Sequence, residues 1–165
     1  MSSGSESFRG SAALNTLSNG PIISTVNNEI MILKSQSNME AMVRERNLNV
    51  TYSYKTKVSK RNKDLYKESP VEVDFPGMDE QAGASFSVKP VDKEHVILDD
   101  FGGGIPAMKV RLNDTVIAPI GKLVVKPTWR FNDFQDIAIT VKHYPVSSIA
   151  SVYRGRVENI SSAQR

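Results

Sequence analysis

The spacing of apolar and polar residues first follows the period of a helix. Between Val26 and Asn47 the large apolar residues fall on one broad face of such a helix: Met31, Ile32, Leu33, Met39, Met42 and Val43. Thr25 or Asn27 is a suitable N-terminal cap, and Asn47 is a suitable C-terminal residue. The pattern predicts one amphipathic helix of about five to six turns.

From Val50 onwards the period becomes two. Apolar residues alternate with polar ones in short runs near residues 50–54, 71–75, 86–88, 96–98, 110–112, 123–125 and 137–141, and Gly, Pro, Asn or Asp lies between most of them. This predicts six or seven short, half-buried, mostly antiparallel strands. The later stretch PVSSIASVYRGRVENI predicts a C-terminal helix that Ser147 or Ser148 could cap. The predicted class is therefore α+β, with an N-terminal amphipathic helix packed on the sheet and a helix at the C-terminal end.

The first 20 residues follow neither period. They are mostly Ser, Gly, Ala and Asn, so they bury too little apolar surface to offset their ordering entropy. We predict a flexible lead-in over residues 1–20, a body over 21–157 and a short tail over 158–165. No apolar run in the sequence approaches the roughly 18 residues that a membrane-spanning helix needs.

Composition excludes several kinds of site. A chain of 165 residues suits one domain, and it has no cysteine, which excludes disulfides, Cys-ligated zinc and thiol nucleophiles. The net charge of +3 is only mildly basic. Neither the charge nor any motif predicts nucleic-acid binding, and we expect no cofactor.

Few residues are candidates for catalysis or ligand binding. KTKVSKRNKDLYK, from Lys55 to Lys67, holds six basic residues against one acid and predicts either a solvated hairpin loop or an anion-binding loop that includes Lys60 and Arg61. DDFGGGIPAMKV predicts a flexible hairpin loop, because a strand rather than a helix follows its glycines. His95 and His143 lie at strand positions without an acidic partner at a suggestive spacing, which predicts surface or structural roles. Trp129 and Tyr144 are candidates for stacking on a sugar.

Several stretches resemble a known family. VNNEIMILKSQSNMEAMVRERNLNVTY resembles the start of the periplasmic domain of Wzz-type polysaccharide co-polymerases, in particular the Wzc-like exopolysaccharide proteins that are fused to a cytoplasmic tyrosine autokinase. DLYKESPVEVDF, DTVIAPIGKLVVKPT and PVSSIASVYRGRV resemble later segments of the same domain. The matching positions of the first stretch are Asn28, Glu29, Ile30, Ile32, Leu33, Lys34, Ser35, Val43, Leu48, Asn49, Val50 and Tyr52.

The resemblance implies a non-catalytic piece of a larger protein. That protein would lie in the bacterial inner membrane, with this part on the periplasmic face. It would form a homo-oligomer and regulate the length or export of a capsular polysaccharide or exopolysaccharide, in contact with the polymerase or export machinery. The transmembrane helices, the helical arm and any tyrosine kinase of the whole protein would lie outside this sequence.

Two other functions remain open at this point. One is a periplasmic glycan-binding module, and the other is a scaffold domain of a secretion assembly. The residues expected to contact another subunit or a glycan are Arg44, Arg46, Lys60, Arg61, Trp129 and Tyr144, and no catalytic, cofactor-binding or metal-binding residue is expected.

Overall fold

The computed structural model describes residues 26–29, 31 and 35–163. The predicted lead-in over residues 1–20 lies outside the described residues, as does Ile32. The chain divides into two compact units, of which residues 43–149 form one, and residues up to Met42 together with those from Ala150 form the other. All strands among the described residues belong to the first unit.

The predicted N-terminal helix is interrupted. Residues 26–29 and 31 are helical, Ser35 is not, and helix α1 then spans Gln36–Glu45, so the prediction of one continuous helix from Val26 to Asn47 is wrong. The Ser35 hydroxyl accepts a hydrogen bond from the Asn38 backbone N–H at 3.3 Å. A serine that caps N–H groups in this way favours a helix start over a helix interior.

The other end of α1 and its buried face agree with the prediction. Asn47 has a positive φ of 49°, the left-handed conformation common just after a helix. The Leu48 N–H then donates to the Val43 carbonyl at 3.0 Å. Met39 and Val43, two residues of the predicted apolar face, are buried, but Met31 of the same predicted face is 69% exposed.

The described residues contain nine strands in two antiparallel sheets. The six-stranded sheet has the order β2-β1-β9-β4-β5-β6, and the three-stranded sheet has the order β3-β8-β7. The strand bounds are β1 Val50–Lys55, β2 Asn62–Asp64, β3 Val71–Asp74, β4 Ala84–Pro90, β5 His95–Asp99, β6 Met108–Arg111, β7 Thr115–Ala118, β8 Gly121–Pro127 and β9 Ile139–His143.

This architecture corrects the predicted fold class. The chain is mostly β, with two sheets, rather than an α+β arrangement of a helix on one sheet of six or seven strands. Each predicted alternating run contributes to a strand, but β2 and β7 were missed. All residues of β2 are exposed, so it has no apolar alternation, and β7 buries only Ala118. Alternation shows which face of a strand is buried and does not show which strands pair.

The two sheets share one apolar core. Val73 of β3 and Leu123 and Val125 of β8 cluster with Phe86 of β4 and Val141 of β9. A hydrogen bond also joins the sheets, since the Val73 N–H donates to the Tyr52 hydroxyl of β1 at 2.9 Å. In the six-stranded sheet β9 lies between β1 and β4, so a strand late in the chain is paired with the earliest one.

The predicted C-terminal helix is present. Helix α2 spans Val146–Ala163, but its start is capped differently from the prediction. The side-chain oxygen of Gln81 accepts hydrogen bonds from the Ser147 N–H at 3.2 Å and from the Ser147 hydroxyl at 2.6 Å. Among the described residues, no helix has both the length and the apolar character needed to cross a membrane.

The glycine-rich stretch forms a loop between β5 and β6, as predicted. Asp100, Gly102, Gly103 and Gly104 all have positive φ values between 60° and 85°. A Cβ on any of these three glycines would meet nothing within 4 Å, so it is the backbone conformation and not crowding that favours glycine here.

Candidate functional site

A shallow cleft of about 460 Å³ lies at one end of the six-stranded sheet. Tyr54 of β1 and Lys63 of β2, which are opposite each other in the strand pair, form one side. The short 3-10 turn Tyr66–Glu68 forms the next side, and Arg130 and Phe134 close the cleft. Aromatic, cationic and acidic side chains therefore meet in one place.

Two backbone hydrogen bonds hold the turn beside the cleft. The Leu65 N–H donates to the Tyr52 carbonyl at 2.9 Å, and the Glu68 N–H donates to the Leu65 carbonyl at 2.8 Å. Leu65 is buried with Phe134 and Ile139, which anchors the turn from below. Between these anchors Tyr66 has a positive φ of 49°, a rare conformation for a bulky residue, and its side chain is 80% exposed.

Arg130 is the most constrained charged residue of the cleft. Its guanidinium donates to the Glu68 carboxylate at 2.7 Å, and its Nε lies 3.6 Å from the Asp133 carboxylate. The guanidinium carbon lies 5.6 Å from the centroid of the Trp129 ring and 5.2 Å from that of Phe134, within the range of cation–π contacts. Trp129 is therefore positioned beside the cleft although it is 78% exposed.

Hydrogen bonds of Thr128 tie the turn that carries Trp129 and Arg130 to the residues just before β3. The Thr128 N–H donates to the Pro70 carbonyl at 3.0 Å, and the Thr128 hydroxyl donates to the Ser69 carbonyl at 2.6 Å. That hydroxyl oxygen also accepts from the Arg130 N–H at 3.3 Å. The turn that carries Tyr66 and the turn that carries Trp129 and Arg130 are thus tied to each other.

The structure separates the residues that the sequence singled out. Trp129 lies beside the cleft, and Lys60 and Arg61 are exposed in the loop that leads from β1 to Lys63 of β2. Tyr144 follows β9 and is not part of the cleft lining. Its backbone is held by Asn49, whose carbonyl accepts from the Tyr144 N–H at 2.8 Å.

The two candidate arginines near the end of α1 also lie away from the cleft. Arg44 Nε donates to the Glu80 carboxylate of the same chain at 2.7 Å. The sequence predicted Arg44 as a contact with another subunit or a glycan. The pair instead lies within one chain, while Arg46 is exposed.

Sequence reasoning missed Tyr66, Lys67 and Arg130 as a group. Tyr66 and Lys67 end the basic stretch from Lys55 to Lys67, which we interpreted as a solvated hairpin loop or an anion-binding loop without singling out these two residues. The available signal was an aromatic residue between charged residues just before Ser-Pro, a composition typical of an exposed turn. Arg130 directly follows Trp129 in the sequence, but nothing in the pattern predicted that it would meet Glu68.

No family model matches this chain, and no curated protein matches it. The resemblance to Wzz-type domains therefore stays a prediction from the quoted residues.

Both histidines have structural partners. His143 is buried, with its Nδ1 2.8 Å from the Ala82 carbonyl and its Nε2 3.1 Å from the Asn49 side-chain nitrogen. This confirms a structural role, and the two contacts fit the tautomer that donates from Nδ1 to the Ala82 carbonyl. The prediction that His95 has no acidic partner is wrong, because its Nδ1 lies 2.9 Å from an Asp92 carboxylate oxygen.

Altered pKa values occur at three of the described groups. The pKa of Asp92 is lowered to about 2, mainly by the Glu94 N–H and then by His95. Burial raises the pKa of Tyr52 to about 12. The hydrogen bond to Asp74 raises the pKa of Lys126. Each change is explained by a local structural contact. Among the described residues no three His, Asp or Glu side chains form a group that could hold a metal ion.

Proposed function

We propose that this chain is a non-catalytic periplasmic module that assembles with copies of itself and regulates the chain length or export of a surface polysaccharide. The proposal combines the resemblance described above with one observation on helix α2. That observation is the exposed apolar surface along the second part of the helix.

Among the described side chains of α2, the buried ones lie near its start. Val146 and Ala150 are buried, but no described side chain between Ser151 and Ala163 is buried. Val152 is 51% exposed and Ile160 is 63% exposed. Exposed apolar residues on a helix are typical of surfaces that pack against a partner, because most helical stability in proteins comes from packing of an apolar face.

A second copy of the chain is the occupant that this proposal commits to. Arg154 and Glu158 on the same helix form an ion pair at 3.7 Å, and the Arg156 guanidinium lies 5.2 Å from the centroid of the Tyr153 ring. Charged groups that flank apolar ones in this way match a helix–helix contact with an apolar centre and a polar rim. Side chains that would face lipid would not carry this much charge.

Membrane attachment would strengthen such a contact. Association has to offset an estimated 4–15 kcal/mol of lost rigid-body freedom, and anchoring in a membrane supplies part of this by raising the effective concentration. The soluble chain is therefore expected to be monomeric or weakly associating, and the anchored chain to form discrete oligomers.

The test compares charge substitutions on α2 with a matched one elsewhere. The chain is anchored to a membrane by helices fused at both ends, and its oligomers are separated by sedimentation in detergent. Val152→Glu and Ile160→Glu should dissociate the oligomer. Val58→Glu should leave it intact, because Val58 is 99% exposed in the loop between β1 and β2. Oligomers that survive both helix substitutions would contradict a contact through α2.

A further inference from the structure

We propose that the cleft bounded by Tyr66, Lys67 and Arg130 binds a segment of an acidic polysaccharide that carries uronic-acid residues. The inference rests on the proposed function only for the presence of polysaccharide near the chain. The site itself follows from the side chains in the cleft and does not require an oligomer.

Two large aromatic rings beside the cleft are left in water. Tyr66 is 80% exposed and Trp129 is 78% exposed. A left-handed backbone conformation is costly for a non-glycine residue, and the exposed Tyr66 side chain offsets little of that cost through burial. Sparsely populated conformations of this kind cluster at ligand sites. Exposed rings at a cleft match the C–H faces of sugar rings, which are apolar on one side and polar at the rim.

The charged groups of the cleft indicate which class of sugar it would bind. Lys63, Lys67 and Arg130 are cations, whereas Asp64 and Glu68 are acids. The lysines can donate to a uronate carboxylate, and the aspartate and glutamate can accept hydrogen bonds from sugar hydroxyls. The basic run that continues through Lys60 and Arg61 favours an anionic chain over a neutral one.

The acidic groups of the cleft disfavour the binding of a nucleic acid. A strand of nucleic acid carries a phosphate at every nucleotide, and Asp64 and Glu68 would repel these phosphates. Proteins that bind single strands also present aromatic side chains on which successive bases stack, within a groove that is basic along its length. This cleft instead combines basic and acidic side chains.

The site is also organised before a ligand arrives. Arg130 is held by Glu68 at 2.7 Å and lies over the rings of Trp129 and Phe134, so binding would not have to order its long side chain. Side chains that are already ordered lower the entropic cost of binding.

Trp129 provides a direct reporter because it is the sole tryptophan of the chain. Its fluorescence is followed while a galacturonate oligosaccharide is added to the soluble chain, and calorimetry on the same mixture detects any binding that does not alter the fluorescence. A neutral glucose oligosaccharide of the same length and an oligothymidylate serve as competing probes. We expect saturable binding of the galacturonate, weakened by added salt, and binding at least about tenfold weaker for the other two probes.

Matched variants test whether the galacturonate oligosaccharide binds in this cleft. Tyr66→Gly, which suits the positive φ, and Lys67→Gln should each weaken galacturonate binding about tenfold or more. Tyr144→Ala and Lys93→Gln alter exposed positions outside the cleft and should leave binding unchanged. The proposal is overturned by no binding in either measurement, by equal or tighter binding of the neutral sugar or the oligothymidylate, or by equal losses in the control variants. Because the soluble chain is used, a failure here leaves assembly through α2 standing.

Discussion

Removing the hydroxyl of Tyr52 tests the connection between the two sheets. Tyr52 lies on β1 of the six-stranded sheet, and its hydroxyl accepts the Val73 N–H of β3 at 2.9 Å. Val73 is buried, and β3 is an edge strand of its sheet. In Tyr52→Phe the ring stays, but the Val73 N–H loses its acceptor in a place that water reaches poorly.

The expected loss of stability follows from the unpaired Val73 N–H. A buried N–H left without a partner costs about 1–3 kcal/mol, so Tyr52→Phe should lower the free energy of unfolding by that amount at pH 7. Tyr54→Phe on the same strand is the matched control. The Tyr54 ring makes an edge contact with Phe134 at 5.3 Å between centroids, which the substitution keeps, so its effect should stay within about 0.5 kcal/mol.

The hydroxyl also makes stability depend on pH. Burial raises the pKa of Tyr52 from its ordinary 10.0 to about 12 in the folded chain. Between these two values the unfolded chain releases the proton first, so it binds fewer protons than the folded chain and stability falls as pH rises. A pKa difference of about 2 corresponds to roughly 3 kcal/mol, which is present below pH 10 and lost by about pH 12.

Urea denaturation followed by circular dichroism measures both effects. The stability advantage of the natural chain over Tyr52→Phe should be present at pH 7 and shrink steadily between pH 10 and the highest pH at which the chain folds. An advantage that is absent at pH 7 would refute the role assigned to this hydrogen bond, and an advantage that is the same at pH 7 and pH 11 would refute the raised pKa of the buried hydroxyl.

Two further substitutions test other parts of the fold. Met39→Ala should lower the free energy of unfolding by about 2–5 kcal/mol because Met39 is a buried residue of α1, and an unchanged urea midpoint would place it outside the core. Tyr66→Gly should change stability by no more than about 1 kcal/mol, because relief of the left-handed strain offsets the greater freedom of glycine in the unfolded chain. A large loss in thermal melting would instead show that the Tyr66 ring is part of the packing.

The sequence predicted the strands better than their arrangement. Alternation identified β1, β3, β4, β5, β6, β8 and β9, because each buries one face in the shared core. It could not identify β2, which is exposed throughout and is defined by its pairing with β1. The division into two sheets depends on contacts between distant residues, such as Tyr52 with Val73, and no local pattern encodes those.

The composition of the candidate site could likewise be predicted only in part from the sequence. Trp129 was singled out because of its residue type, and it does lie exposed beside a cleft. Its neighbours there could not be predicted, since the ion pair of Arg130 with Glu68 joins positions 62 residues apart. Conversely, Arg44 was expected to contact another subunit or a glycan, but the fold brings it to Glu80 of the same chain.

The particle mass of the membrane-anchored chain tests the central proposal most directly. The chain, anchored at both ends, is reconstituted into lipid nanodiscs large enough for several copies, and the mass of each particle is measured over a range of protein-to-lipid ratios. The proposed function predicts one discrete oligomer whose mass stays constant as the protein is diluted. Particles that hold single copies at every ratio, or a random distribution of copy numbers, would contradict it.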